Sequence, residues 1–331
     1  METLSHYAYC ALDQHFHKVI KHETGVLKQQ EPEAIHQMRV GLRRLRTALQ
    51  VFEPALDLPK GTGIKQIRTI ANSLGKVRDL DVLNETLTTA HSPHLPEIEQ
   101  KRLDQLLKKL HQLRQQKFER VRRKLSSATY RRFKQGFQHW LAHPAYTDLA
   151  HWPIRAVVSD LLLPLISQLL IHPAWLVGVT WSSADEFDQE KFSQDCSGGG
   201  SNGLMEATCL CNHQEPLLPE ELQRQGSVLH ELRKQTKRVR YQMELFTDFF
   251  GEDYQQQVKE FATLQEVLGQ LQDGVVLQHF LHRLGANLDR DLPSLGERLQ
   301  SQQTLNWQKW QYFQERYLDN QFRHSLRQLL A

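Results

Sequence analysis

Two segments of the chain combine one histidine with closely spaced arginine and lysine. In each, an arginine follows the histidine by three positions, and further cations follow that arginine by four, five and seven. Arginine offers forked donors, lysine a point charge, and protonated histidine two N–H groups, so these residues suit an anion with many oxygens. Eight of them are the main candidates: His36, Arg39, Arg43, Arg46, His230, Arg233, Lys237 and Arg240.

Helical geometry places each set of four on one side of a helix. At 100° per residue, residues 36, 39, 43 and 46 fall within an arc of about 80°. We call them the first stripe, and residues 230, 233, 237 and 240 the second stripe. Apolar residues such as Met38, Leu42 and Leu45 occupy the adjacent arc and must face the core. A stripe that borders the core is expected to line a groove between packed helices.

The stripes have few acidic neighbours in sequence. Residues 36–46 contain no acidic residue, and residues 230–240 contain only Glu231. Surface cations on helices usually have acidic partners three or four positions away, and like charges on one face destabilise it. The pattern therefore favours an anion-binding groove over a solvated basic face, which is the alternative. Arg44 and Arg238 lie about 100° from the stripes and are weaker candidates.

The similarity between the two segments extends beyond the stripes. Residues 36–83 and 230–277 align without gaps at an offset of 194 and share twelve identities. Leu74-Gly75 recurs as Leu268-Gly269, and Asp79 recurs as Asp273. The two aspartates are expected to be structural partners of nearby arginines rather than metal ligands. Asp81 has Val275 as its counterpart, which argues against a repeated metal site.

The elements that carry these residues are predicted to be helices. Val and Thr alternation is nearly absent, and Leu, Gln, Arg, Glu and Lys dominate, so we expect an all-α chain. Pro32 after Glu31 is typical of a helix start. The expected helices cover about 4–28, 31–52, 64–89, 97–142 with a break near 126–127, 154–171, 228–250, 255–284 and 297–329.

The charge is unevenly distributed along the 331 residues. The totals of 41 Lys+Arg and 38 Asp+Glu nearly cancel, yet residues 101–134 carry a net +11 and residues 184–221 a net −8. Such asymmetry points to a polyanion as partner. Residues 182–227 are acidic, rich in Gly and Ser, and are interpreted as a flexible insertion. This insertion could also fold over the basic residues as an internal competitor.

Several other classes are disfavoured. The N-terminus lacks the features of a signal peptide. The apolar stretch 156–179 is interrupted by polar residues and proline and favours a buried helix over a membrane span. Four cysteines in this length indicate a reducing cytosol rather than a disulfide framework. No metal or cofactor is predicted, because the possible zinc ligands have an unfamiliar spacing. Those residues are Cys196, Cys209, Cys211 and His213.

The two stripes and the Leu74-Gly75-x-x-Arg78-Asp79-x-Asp81-Val82 run resemble the signature of the CHAD family, the conserved histidine α-helical domain. The resemblance covers about 3–180 and 228–330. It implies one domain at 3–330 with two pseudo-symmetric four-helix halves, at about 3–145 and at 150–180 plus 228–330, packed around a basic central cavity. It also implies non-catalytic binding of inorganic polyphosphate by the two stripes, in the cytoplasm and near polyphosphate granules. The departures are the insertion and Gln272, where the first repeat has Arg78.

Further cations and other functions remain as alternatives. A helical nucleic-acid-binding protein would also use the basic 101–134 segment, although no nucleic-acid-binding signature is present. A phosphohydrolase is disfavoured because the stripes contain no metal-binding carboxylates. The cations that could add to the stripes are Arg44, Arg238, Lys18, Lys21, His22, Arg78, Arg114, Lys117, Arg122, Arg131 and Arg132.

Overall fold

The computed structural model describes residues 2–28, 31–180, 212–213 and 219–330, with the backbone alone at 180, 212–213 and 219–223. This part of the chain contains eleven α-helices, and the prediction of an all-α fold is confirmed. Two strands of two residues, β1 (Val179–Thr180) and β2 (Asn212–His213), form an antiparallel pair. Most of the expected 182–227 insertion, with its proposed competitor role, lies outside the described residues.

Five helices form the first half of the chain. Thr3 caps the first of them, since its side chain accepts a hydrogen bond from the His6 amide. Ser127 caps the fifth in the same way through the Tyr130 amide, which explains the break expected near 126–127. A π-helical turn at Thr86–His91 extends the third. The helices are α1 (Leu4–Leu27), α2 (Pro32–Phe52), α3 (Ile64–Glu85), α4 (Glu97–Leu125) and α5 (Ala128–Ala142).

Six helices belong to the second half. By the 194-residue offset, its second and third helices correspond to α2 and α3. A 3-10 helix at Glu244–Phe249 follows the second. The helices are α6 (Ile154–Leu170), α7 (Pro219–Met243), α8 (Glu252–Arg283), α9 (Leu288–Asp291), α10 (Pro293–Leu318) and α11 (Asn320–Gln328). The four helices expected in each half are present, with the fourth divided into α4 and α5 in the first half and into α10 and α11 in the second, and with the short α9 added.

The largest differences from the predicted helices concern α7 and the C-terminal helix. Helix α7 begins at Pro219 rather than near 228, so the last part of the expected insertion is helical. Proline followed by two glutamates is a favourable first turn, which the acidic composition of the insertion obscured. The expected helix at 297–329 is two helices, α10 and α11. Asp319 divides them, because its backbone is extended and its side chain caps the Phe322 amide.

Two clusters of buried side chains hold the helices together. The larger is built from both halves and includes most of the buried aromatic residues. In it, Trp175 stacks on Trp310 and on Tyr317, with ring centroids 5.2 and 4.6 Å apart. The smaller joins the ends of α3 and α4 to α8, α9 and α10. Because both clusters cross between the halves, the relative position of α2 and α7 is fixed, and these two helices pack directly against each other.

Helix α6 and the turn after it form the most apolar part of the described chain. By length and composition alone, Ile154–Leu176 is apolar enough to cross a membrane. Pro164 lies inside the helix, and residues such as Leu162, Ile166 and Leu169 are buried in the larger cluster. A core helix passes the same test, so this segment is weak support for a membrane span.

Candidate functional site

The two stripes lie on α2 and α7, each beside the face that its helix buries. On α2, Met38, Leu42 and Leu45 are fully buried, and on α7 Leu232 and Val239 are. The cations next to them are therefore half-buried rather than fully solvated, and His230 is the one exposed residue of the two stripes. The amphipathic pattern of each helix thus positions its stripe at the border of the core.

Five stripe residues from both repeats meet at one place. Burial, and then the positive charges of Arg43, Arg39, Arg233 and Arg240, lower the pKa of Lys237 to about 7. Charges act on a buried amine in this way only at short range, so the four guanidinium groups lie close to Lys237 where water screens them poorly. We call these five residues the cationic cluster. The structure therefore brings the two stripes to a shared site, with α2 supplying two cations and α7 supplying three.

Tyr241 organises the centre of the cationic cluster. The guanidinium carbons of Arg43 and Arg240 each lie 4.4 Å from the centroid of its ring. Both distances allow cation–π attraction, which offsets part of the repulsion between the two arginines. The tyrosine is 6% exposed and follows the second stripe directly on α7. One aromatic ring therefore holds a cation from each repeat beside the other.

Several arginines of the stripes lack hydrogen-bond partners. The Nε atoms of Arg43, Arg46, Arg233 and Arg240 are buried and make no hydrogen bond within the described part of the chain. An unpaired buried donor of this kind is costly, and more so on a charged group. Burial also lowers the pKa of Arg43 and of Arg46, which is the direction expected when the charged form is poorly solvated. The site thus presents donors that an anion could satisfy.

Each repeat places a glycine beneath an arginine of its stripe. A Cβ atom on Gly75 would lie 3.4 Å from Nε of Arg39, and one on Gly269 would lie 3.0 Å from Nη2 of Arg233. The guanidinium groups therefore rest against the backbones of α3 and α8 where no side chain intervenes. The recurring Leu-Gly motif is explained by this contact, which is tighter in the second repeat.

Three carboxylates lie next to the cationic cluster. Asp79 Oδ1 is 3.8 Å from Nη2 of Arg39, and the charge of Arg233 acts on Asp273. Glu244 approaches two arginines, with Oε1 at 3.5 Å from Nε of Arg240 and Oε2 at 3.9 Å from Nη2 of Arg44. Both aspartates are therefore located near arginines, as the sequence predicted. Five cations against three carboxylates leave the site positive.

The two stripe histidines have different surroundings. Burial, followed by the charge of Arg78, lowers the pKa of His36. His230 Nδ1 is 2.8 Å from Oε1 of Gln272, and Nε2 of the same amide donates to the Gly226 carbonyl. This orientation of the amide requires His230 to donate from Nδ1, which leaves its Nε2 directed elsewhere. Gln272 thus stands at the position of Arg78 in the repeat. It orients His230 by a hydrogen bond and adds no positive charge to the site.

A pocket opens at the histidine end of each stripe. The first, about 840 Å³, is lined by Pro32, Arg78, Asp81 and Glu85 among others. The second, about 210 Å³, is lined by the residues at the same positions of the second repeat, Gly226, Gln272, Val275 and His279. The first pocket contains three carboxylates and two arginines, whereas the second is mostly apolar. The two ends of the site are therefore chemically different although the repeats are related.

Comparison with models of protein families identifies the family of this chain. The model of the CHAD domain matches residues 10–282, which includes both stripes and both Leu-Gly motifs. The chain belongs to the CHAD domain family. No curated protein matches the chain.

Two solved structures share the fold of this chain. The crystal structure of the CHAD domain from the plant Ricinus communis matches with a TM-score of 0.59 and 22% identity, covering 99% of this chain and 91% of the plant chain. PptA from Streptomyces chartreusis matches with a TM-score of 0.63 and 12% identity, covering 96% of this chain and 99% of PptA. At such identities the agreement concerns the architecture, and the side-chain arrangement above is this chain's own.

The weaker candidates of this CHAD domain occupy several environments. Arg78 lies 3.9 Å from Glu85, and Arg114 forms a shielded ion pair with Asp81 on the opposite side of the first pocket. Lys18 lies near His15, whose burial lowers its pKa to about 4. Lys117 is half-exposed on α4. The other weaker candidates are exposed or lie near acidic side chains outside the cationic cluster: Arg44, Arg238, Lys21, His22, Arg122, Arg131 and Arg132.

Two residues of the site were not singled out from the sequence. Tyr241 has Thr47 as its counterpart, so the repeat comparison gave it no weight, although a tyrosine next to a basic stripe is itself a signal. Arg68 on α3 lowers the pKa of Arg46 and so lies near the end of the first stripe. No cluster of three or more His, Cys, Asp or Glu that could hold a metal occurs among the described residues. Cys196, Cys209 and Cys211 lie outside them.

Proposed function

We propose that this CHAD domain binds inorganic polyphosphate, without catalysis, at the cationic cluster and the adjoining stripe residues. The observation that carries the proposal is the set of four buried arginine Nε donors, contributed by both repeats, that make no hydrogen bond within the described residues. Phosphate oxygens would accept from these donors and offset the repulsion between cations, which no neutral ligand would do.

The arrangement favours a chain of phosphates over a single phosphate. The arginines whose Nε atoms make no hydrogen bond within the described residues span both stripes, from Arg46 on α2 to Arg233 on α7, so one phosphate would reach few of them. A flexible chain with about one charge per phosphate could contact them in sequence, and it requires no base-stacking surface. The ring of Tyr241, the aromatic residue at the centre, already has one arginine from each repeat next to it. It is therefore not free to stack on a base.

Titration of labelled polyphosphate at several salt concentrations tests the proposal. If the five cations of the cluster each release a counterion, the logarithm of affinity should fall with the logarithm of salt at a slope of roughly −3.5. Unlabelled polyphosphate, single-stranded RNA and duplex DNA of equal phosphate content are then compared as competitors. Equal displacement by all three would contradict a dedicated polyphosphate site and favour nucleic-acid binding through the exposed cations of α4. Release of phosphate in the presence of Mg²⁺ would contradict the non-catalytic proposal.

The glycines beneath the arginines provide a paired test. Gly269→Ala should weaken polyphosphate binding by about threefold to tenfold, because its Cβ would displace the Arg233 guanidinium. Gly75→Ala is the matched control, since its Cβ would meet Arg39 at an ordinary distance and should change affinity less. Both variants should remain folded, because alanine favours helices more than glycine. Equal effects of the two variants would contradict the proposed position of Arg233.

The same proposal includes the setting in which the domain acts. Cys10 is exposed and is a free thiol among the described residues, which is compatible with the reducing cytoplasm that we propose. Imaging of the tagged full chain against stained polyphosphate granules would test whether it associates with them. An unchanged distribution in cells depleted of polyphosphate would contradict that association.

A further inference from the structure

Asp79 occupies a place in the site that ordinary ion pairing does not explain. Its carboxylate is near Arg39, Lys237 and Arg233, and therefore near cations of both repeats. Its Oδ1 lies 3.8 Å from Nη2 of Arg39, which is too long for a hydrogen bond. Its side chain is 68% exposed. The protein surrounding it nevertheless raises its pKa through burial. The carboxylate is therefore open to water and to ligands, although protein lies close to it and cations of both repeats act on it.

Other acidic residues of the chain show what a structural ion pair looks like here. Glu23 lies 2.8 Å from the ammonium of Lys134 and is 14% exposed. Asp81 pairs closely with Arg114 and is 7% exposed. Both pairs are short and shielded, as expected of contacts that hold helices together. Asp79 differs in both respects, so its contact with Arg39 is loose and can be exchanged.

We infer that Asp79 is the internal counter-anion of the cationic cluster, competing with ligand phosphates and thereby selecting longer polyphosphate over short phosphates. The inference rests on the proposed function. A short ligand placed between Arg39, Lys237 and Arg233 experiences the full repulsion of Asp79. A long chain can also contact Arg43, Arg46 and Arg240, which lie toward the other end of the stripes, so it can bind with no phosphate placed against Asp79 and avoids most of the repulsion.

The repeat supplies a related carboxylate with fewer cations around it. Asp273 stands at the position equivalent to Asp79, and the charge that acts on it most clearly is that of Arg233 alone. Competition should therefore be unequal between the repeats, with Asp79 the stronger competitor. Asp273 is the natural comparison, because its side chain is also exposed and also follows a Leu-Gly motif.

The experiment compares three variants with the wild-type full chain, using tripolyphosphate and a long-chain polyphosphate as probes at low salt. Asp79→Asn should bind tripolyphosphate roughly threefold to tenfold more tightly and the long chain by a smaller factor. Asp273→Asn should show a weaker change of the same kind. Asp104→Asn removes the same charge from the exposed face of α4 and should alter neither ligand by more than about twofold.

The outcomes separate this inference from the proposed function. Failure of the wild-type chain to bind either probe would overturn the proposed function itself. If the wild type binds but Asp79→Asn weakens tripolyphosphate binding, the aspartate positions Arg39 and the inference is wrong. Equal tightening for both ligands, or a change no larger than that of Asp104→Asn, would overturn the selection of chain length. Tightening that is larger for the short ligand supports it.

Discussion

Replacement of Arg43 by methionine is expected to weaken polyphosphate binding by about tenfold to a hundredfold, the loss of charge-assisted hydrogen bonds from one guanidinium. Arg43 lies at the junction of the repeats, since its guanidinium shares the Tyr241 ring with Arg240 and its Nε has no partner among the described residues. Methionine keeps the length and apolar contacts of the side chain, so the change removes mainly the charge and its donors.

The same variant should be more stable than the wild type in the absence of ligand. Burial lowers the pKa of Arg43, and the charges of Arg39 and Arg240 act in the same direction, so the folded state carries this cation at a cost. Its removal should raise Tm by roughly 1–2 °C, measured by differential scanning fluorimetry without polyphosphate. Opposite changes in affinity and stability are the expected sign of a residue retained for binding.

A matched control removes the same charge elsewhere. Arg120 is exposed on α4, and Arg120→Met should leave Tm almost unchanged and reduce affinity by less than about twofold at moderate salt. If Arg43→Met and Arg120→Met weaken binding equally, the phosphate chain is attracted by the overall charge rather than held at the junction of the repeats. If Arg43→Met lowers Tm, its contact with Tyr241 outweighs the repulsion described above.

Much of this arrangement could be predicted because it depends on local periodicity. The phase of Met38, Leu42 and Leu45 determines which side of α2 faces the core, and the position of the first stripe follows from it. The equal spacing of the repeats then places the second stripe on α7 in the same relation to its own core residues. Helix starts marked by proline or by a capping hydroxyl, such as those at Pro32 and Ser127, could also be predicted from the sequence.

Other parts depend on contacts between segments that are distant in sequence. The position of Tyr241 between two arginines follows from how α2 crosses α7, which no local pattern encodes. The sequence shows that Gln272 replaces the arginine found at the equivalent position 78. It does not predict that His230 donates a hydrogen bond to this glutamine. The division of the C-terminal helix at Asp319 could not be predicted, because an aspartate that caps a new helix cannot be distinguished in the sequence from one inside a continuous helix.

Lys237 should make polyphosphate binding depend on pH in a higher range than His36 does. Its pKa is about 7 in the ligand-free fold, against 10.5 for an ordinary lysine. Phosphate oxygens favour the charged amine, so binding should raise this pKa and take up protons between about pH 7 and 10. Affinity should fall by at least about tenfold from pH 6 to pH 9. The lowered pKa of His36 shifts its own contribution below pH 6.5.

Stability without ligand should change in the opposite sense over the same range. Between about pH 7 and 10.5 the unfolded chain holds a proton on Lys237 that the folded chain has lost, so the free energy of unfolding contributed by this group rises with pH. Below about pH 7 both states are protonated, and the contribution becomes constant. The groups that face the amine are Arg39, Arg43, Arg233, Arg240 and Asp79.

Lys237→Arg separates this lysine from everything else that titrates. Arginine keeps its charge throughout the range, so the variant should lose most of the fall in affinity between pH 6 and 9 and most of the proton uptake. Calorimetry at pH 8 in two buffers with different heats of ionisation measures that uptake directly. The terminal phosphates of the ligand titrate in the same region, but they contribute equally to both proteins. If wild type and variant take up equal numbers of protons, Lys237 is not among the groups that the phosphate chain contacts.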